Sequence, residues 1–253
     1  MYKSIIFNFI VLLTLNVTTA YADGDKASMK LPVTVLDGLY LNDLLAEPEK
    51  KASLEKLKSA LDKDWYIGIV VRFQGDAATQ QEIKNCRDYF KLLKDGMEPV
   101  HDYEESAFNE FGLMCMAARD TVNARSAETT YLKSFELNQG TPGALPKQFA
   151  MHISMAEYKK TLEDKTKVYW GDANQITGYE KIIENLVVYI HPGAKQEITI
   201  AAKGDFNHDG IEDILMTSRD SVADGSYYVL RMFLLTKKSS SGDFILLKEY
   251  KAI

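Results

Sequence analysis

The chain has 253 residues, 30 Lys and Arg against 36 Asp and Glu for a formal net charge of −6, and an apolar fraction of 46%. This length and apolar content allow one large or two small cores and exclude wholesale disorder. The mild acidity argues against nucleic acid or an anionic membrane surface as a partner, since binding to phosphates depends on clustered Lys and Arg. Residues 1–22 hold Lys3, an apolar run from Ile5 to Leu15 and the small-residue end Ala20-Tyr21-Ala22. They have the form of a secretory signal peptide cleaved after Ala22. That run is too short for a membrane span, and no later segment reaches the ~18 apolar residues that a spanning helix needs. The residue directly after the cleavage point is Asp23, not a cysteine that could carry a lipid. The expected product is periplasmic or secreted, with no membrane span in the mature chain.

Beyond a polar start at Asp23–Lys30, the stripe Ala52, Leu54, Leu57 and Leu61 predicts a helix from Glu47 or Pro48 to Leu61. Trp65–Phe73 is rich in β-branched and aromatic residues and predicts a buried strand, ended by Gly75 and Asp76. Helices are expected over 77–94 and 103–125. Ile83, Cys86, Phe90 and Leu93 share one face of the first, and Phe108, Phe111, Cys115, Ala118 and Val122 share one face of the second. Two cysteines in an oxidising compartment, each on an apolar stripe, predict a Cys86–Cys115 disulfide joining a helical hairpin. In the chain-entropy account its constraint is worth ~3 kcal/mol.

The breaker-rich stretch Asn138–Pro146 divides a mainly helical region, 23–145, with one buried strand, from a mainly β region, 146–253. A short helix is expected over 155–165, a loop over 169–178 with Tyr169 and Trp170 open to stacking or to burial, and a strand over 182–191. Strands then follow at 196–203, 213–218, 226–237 and 243–250. Tyr227–Leu235 is apolar on both alternating faces except at Arg231, the pattern of an inner strand covered on both sides. The fold class read from this order is α+β: an N-terminal helical region with a disulfide-linked hairpin, packed on a C-terminal antiparallel meander.

The segment Asp205-Phe-Asn-His-Asp-Gly-Ile-Glu-Asp213 places oxygen donors at every second position around a glycine. Asp205, Asn207 and Asp209 would fill loop positions one, three and five, the Ile211 carbonyl the seventh, and Asp213 the ninth. An all-oxygen set of this kind favours calcium over magnesium, and over zinc or copper, which prefer nitrogen and sulfur. His208 sits at an even position and should point away. A helix-loop-helix hand is not expected, because Met216 stands where its bidentate glutamate belongs and the flanks read as strands. An Asp/Asn/Gly turn without metal is the alternative. Against it, three carboxylates meeting in one reversal repel by ~1 kcal/mol or more per close pair unless a cation neutralises them. Asp220 or Asp224 is a candidate to complete the shell.

Gly204–Leu215 resembles the calcium loop of FG-GAP and VCBS-type repeats, in which Asp-x-Asp/Asn-x-Asp-Gly-x-x-Asp runs directly into a strand. The resemblance covers 196–250 in a single copy and implies that Asp205, Asn207, Asp209, Ile211 and Asp213 bind calcium between two strands. It also leans towards extracytoplasmic adhesion or interaction with a protein or glycan partner. No Gly-x-Ser-x-Gly elbow, His-Glu-x-x-His helix, phosphate loop or dinucleotide fingerprint is present. The leading expectation is therefore a non-enzymatic calcium-binding interaction module with no assigned catalytic residue. An extracytoplasmic hydrolase, in which acids such as Glu104, Glu105 and Glu110 converge, is one alternative. A structural accessory protein with no metal is the other.

Overall fold

The computed structural model describes residues 30–36, 41–48, 53–73, 76–93, 96–152, 154–223, 225 and 228–251. The expected signal peptide and Asp224 lie outside them. The described chain is α+β, with a large antiparallel sheet in its C-terminal half and most of its helix before residue 124.

Two short helices, α1 (Leu41–Leu44) and α2 (Leu54–Ala60), open the helical side. Helix α2 begins at Ser53, whose hydroxyl accepts from the Lys56 N–H at 3.2 Å and satisfies one of the donors that a helix start leaves open. Strand β1 (Thr34–Val35) precedes them, and β2 (Ile69–Phe73) follows. The expected helix over 77–94 is corrected. Residues Asp76–Ile83 form β3, which pairs antiparallel with β2, and only Cys86–Leu92 are helical, as α3. Residues 78–82 are exposed, so Gln80, Gln81 and Glu82, good helix formers, sit on a solvent-facing edge. There, pairing with β2 overrides a weak local preference. Asn85 then stops the strand and caps α3, accepting from the Asp88 N–H at 2.9 Å. Strand β4 (Met97–Pro99) completes a sheet of order β3-β2-β4, so the single strand expected at 65–73 is the centre of three.

Helix α4 (Glu105–Asn123) is the long helix of this side. Cys115 on α4 is bonded to Cys86 on α3, and both are fully buried. Beside the bridge, Gly112 makes room for Tyr89: a Cβ there would collide with the Tyr89 ring and hydroxyl.

Residues 124–177 are mostly irregular, with α5 (Met155–Glu163) and α6 (Trp170–Ala173). The latter replaces part of the expected loop and carries Trp170 to complete burial. The expected strand over 182–191 is instead a hairpin of β5 (Gly178–Ile183) and β6 (Leu186–His191). The rest of the large sheet is β7 (Ala194–Gly204), β8 (Asp213–Val222), β9 (Tyr228–Thr236) and β10 (Ile245–Tyr250), in the order β10-β9-β8-β7-β6-β5. Strand β6 pairs with the first half of β7, and β1 pairs with its end.

Both faces of this sheet are covered. On one, Leu215, Leu230, Met232, Leu234 and Tyr250 pack with Phe108, Phe111 and Met114 of α4. On the other, Ile198, Ile200, Ile214, Met216, Phe233 and Leu235 pack with Leu132, Leu145, Phe149 and Trp170 of the irregular segment. A register break between Ile200 and Ala202 lets Ala201 and Ala202 both join the helix side. Each large side chain buried in these layers contributes ~1.5–3 kcal/mol.

The disulfide ties together residues 29 positions apart within the helix-side core. Replacing both cysteines, as Cys86→Ala/Cys115→Ala, should cost about 3 kcal/mol by chemical denaturation. A loss under about 1 kcal/mol would mean that packing alone fixes the hairpin.

Candidate metal centre

The Asp205–Asp213 loop joins β7 to β8 at the sheet end next to the C-terminus of α4. Two residues break the left-handed barrier to make it, His208 at φ 64° and Gly210 at φ 84°. Gly210 adopts this readily, while His208 bears the usual cost of a side chain there. Its imidazole leaves the loop, with Nε2 3.2 Å from the Asn123 carbonyl oxygen.

Residues 125–130 strap the loop from outside. The Arg125 and Asp205 backbones exchange two hydrogen bonds of 2.9 Å, Glu128 and Thr129 donate to the Gly210 carbonyl, and the Glu212 N–H donates to Thr129. The Thr130 hydroxyl donates to the Glu212 carboxylate. Sequence reasoning missed this strap, whose residues lie more than 70 positions from the loop they hold.

Asp205 is buried, and its two oxygens accept from the N–H groups of Asp209 and Gly210, each at 3.0 Å. Asn207 Oδ1 accepts from the Asp209 N–H at 3.0 Å. Asp209 Oδ1 accepts from the Ile211 N–H, and its Oδ2 accepts from Asn207 Nδ2 at 3.1 Å and from Lys238 Nζ at 2.6 Å. Asp213 is 0% exposed, and its Oδ2 accepts from the N–H groups of Phe206 and Asn207. Asp213 Oδ1 is buried with no hydrogen-bond partner. Burial pushes the Asp213 carboxyl above its usual range, while the nearby Thr236 hydroxyl and the two N–H groups act the other way. No hydrogen bond of sound geometry joins Thr236 Oγ1 to this carboxyl, so both atoms are left open.

The four side chains expected from the sequence and Ile211 thus lie along this one loop. As they stand, however, no three Asp, Glu, His or Cys side chains among the described residues are close enough to enclose an ion. The carboxylates are compensated by backbone N–H groups and Lys238, which removes much of the repulsion expected of a metal-free loop. One buried acceptor remains unsatisfied. A hard cation fits that chemistry, because a buried carboxylate oxygen without a donor is costly and calcium takes oxygen ligands. Asp220, a candidate for completing the shell, is instead at the opposite end of β8.

There Asp220 forms a buried ion pair with Arg231, whose Nη2 and Nε lie 2.7 and 3.0 Å from Asp220 Oδ2. The same guanidinium donates to the carbonyls of Gln148 and Phe149. Gln196 donates to Phe149 O and to the Ser218 hydroxyl, which donates to Asp220. Arg231, the exception in the apolar pattern of β9, is therefore the clamp that holds residues 148–149 onto the sheet. His191 is buried beside it with Nε2 unpartnered. His152 stacks on Tyr158 with ring centroids 4.3 Å apart. Burial holds both imidazoles below their usual pKa, Arg231 adding to the effect at His152, while Gln196 and Asp220 oppose it at His191.

The acids weighed for hydrolysis do not converge. Glu110 accepts from the Tyr228 hydroxyl at 2.7 Å, and burial raises its carboxyl. Glu105 instead lines a separate cleft of about 300 Å³ with Asp102, Glu98 and Arg72, in which Glu98 is paired with Arg72. Glu104 does not line that cleft. Of the two aromatics considered for stacking, Trp170 is core, while Tyr169 donates its hydroxyl to Asp243 at 2.8 Å.

No family model matches the chain, and neither curated proteins nor solved structures gave a match.

Because burial holds His152 and His191 below their usual pKa in the folded state, the unfolded chain takes up protons first as pH falls. Stability is full above the unfolded histidine value and declines below it, towards the depressed folded values. The urea midpoint should drop between about pH 7.5 and pH 5.5, around the ordinary histidine value of about 6.5, and by less in His191→Gln. A level or rising midpoint over that window contradicts the assignment.

Proposed function

We propose that the protein works outside the cytoplasm, secreted or periplasmic after cleavage at Ala22, as a calcium-binding interaction module in which the ion is structural. Asp205, Asn207, Asp209, the Ile211 carbonyl and Asp213 would hold calcium, with water completing a shell that lacks a twelfth-position glutamate. The observation that carries this reading is Oδ1 of Asp213, an oxygen of a fully buried carboxylate that lacks a hydrogen bond of sound geometry even with the Thr236 hydroxyl close by. The buried disulfide fits the same compartment, since such bonds persist where thiols are oxidised. Among the described residues no helix is long and apolar enough to cross a membrane.

In this reading calcium neutralises the loop carboxylates and fixes the β7–β8 connection against the strap at 125–130. The ion carries no chemistry of its own here. It rigidifies one end of the sheet, and the surface around that end is what a protein or glycan partner would meet. Calorimetric titration of residues 23–253, freed of metal, should show one site with Kd of about 0.1–1 mM, the range of extracellular modules. At 10 mM calcium, linkage then stabilises the fold by about 1.4–2.7 kcal/mol. A near-isosteric Asp213→Asn variant should fold and lose this response. No heat and no thermal shift in the unaltered chain at that concentration would end the calcium reading.

A further inference from the structure

Lys238 follows β9 by two residues, so the end of one strand presents the Thr236 hydroxyl near Asp213 and the Lys238 ammonium to Asp209. The ammonium lies 2.6 Å from Asp209 Oδ2, with Lys238 54% and Asp209 29% exposed at the side chain. Burial would raise the Asp209 carboxyl, but it is held below its usual range by the bonds from Lys238, the Ile211 N–H and Asn207. Asn207 Nδ2 bonds the same oxygen. Position five of the loop is therefore bonded both within the loop and to Lys238 beyond β9.

We propose that Lys238 is the resident counter-ion of this loop: it compensates Asp209 when no divalent ion is bound, competes with calcium for that carboxylate, and so sets the affinity of the site. This inference rests on the calcium reading above. A single carboxylate oxygen cannot serve an ammonium at hydrogen-bond distance and a divalent ion at coordination distance without two cations crowding each other. Calcium that takes Asp209 Oδ2 then releases Lys238 to water, where its partial exposure keeps the cost of departure small.

The consequence reaches the β9–β10 connection. That turn is fastened at other points: Lys237 Nζ donates to the Ser240 carbonyl at 3.1 Å and lies over the Phe244 ring, and Asp243 accepts from Tyr169. Among the described residues, the Lys238–Asp209 ion pair links the turn to the metal loop. Binding of calcium would cut this tie and leave the turn fixed to its own end of the sheet, coupling occupancy to the surface formed by residues 237–243.

The test is calorimetric calcium titration of the unaltered chain, Lys238→Met and Lys238→Gln, with thermal melts of each metal-free protein. Loss of the competing ammonium should tighten calcium binding about fivefold in both variants, the size of an exposed ion pair. It should also lower the metal-free melting temperature and enlarge the rise produced by calcium. Lys238→Arg, which keeps the charge, should bind no more tightly than the unaltered chain. If the unaltered chain binds calcium and the two neutral variants, folded by circular dichroism, bind it equally or more weakly, competition by Lys238 is overturned while the calcium reading stands. If the unaltered chain and both neutral variants all fail to bind, both fall together.

Discussion

The inner strands of the large sheet carry apolar side chains on both faces, and everything else in the fold answers to that constraint. In β9, Leu230, Met232 and Leu234 face one way while Phe233 and Leu235 face the other. Such a strand cannot leave either face in water, because burial of apolar surface is the dominant favourable term in folding. One cover comes from α4 and its disulfide-linked neighbour, the other from the irregular segment between Leu132 and Trp170. The second cover has little regular structure to align it. It is held by Trp170, Phe149 and the Arg231–Asp220 clamp on the Gln148 and Phe149 carbonyls.

That clamp shows how charge is used inside this protein. A buried guanidinium is tolerable only when its donors are occupied, and here a carboxylate and two carbonyls occupy them. At the other end of the same sheet the Asp205–Asp213 loop follows the same logic with the signs reversed. Its carboxylates are met by backbone N–H groups, as in many turns built on Asp and Asn, and by one ammonium. Repulsion among the acids, counted from the sequence alone, is therefore a poor guide to whether a cation is required. Oδ1 of Asp213 is the buried carboxylate oxygen of the loop that these groups leave without a hydrogen bond.

The two polar centres sit at opposite ends of β8, and that placement decides their roles. Asp220 lies only seven residues beyond Asp213 in sequence, near enough to be considered for the same ion. Strand geometry carries it about 23 Å away at ~3.3 Å per residue, into the clamp. The strap at 125–130 makes the converse point: distant in sequence, it is hydrogen-bonded to the loop at Asp205, Gly210 and Glu212.

The α+β class, the C-terminal meander, the two-sided burial of the inner strand, the Cys86–Cys115 pairing and the position of the oxygen-rich loop are all legible in the sequence. Each depends on local periodicity or short spacing, which side-chain direction on a helix or strand translates directly into a face. Other features were decided by tertiary structure. Residues 78–82 look helical yet form an edge strand, because β2 offered hydrogen-bond partners that a weak local preference could not outweigh. Of Tyr169 and Trp170, for both of which burial is the favoured reading, only Trp170 is core, under the sheet face that it covers. Lys238 reached Asp209, and the strap reached the loop, only once β9 and α4 were packed at that end of the sheet. Contacts between segments far apart along the chain depend on how the whole molecule closes, and no short window of residues records that.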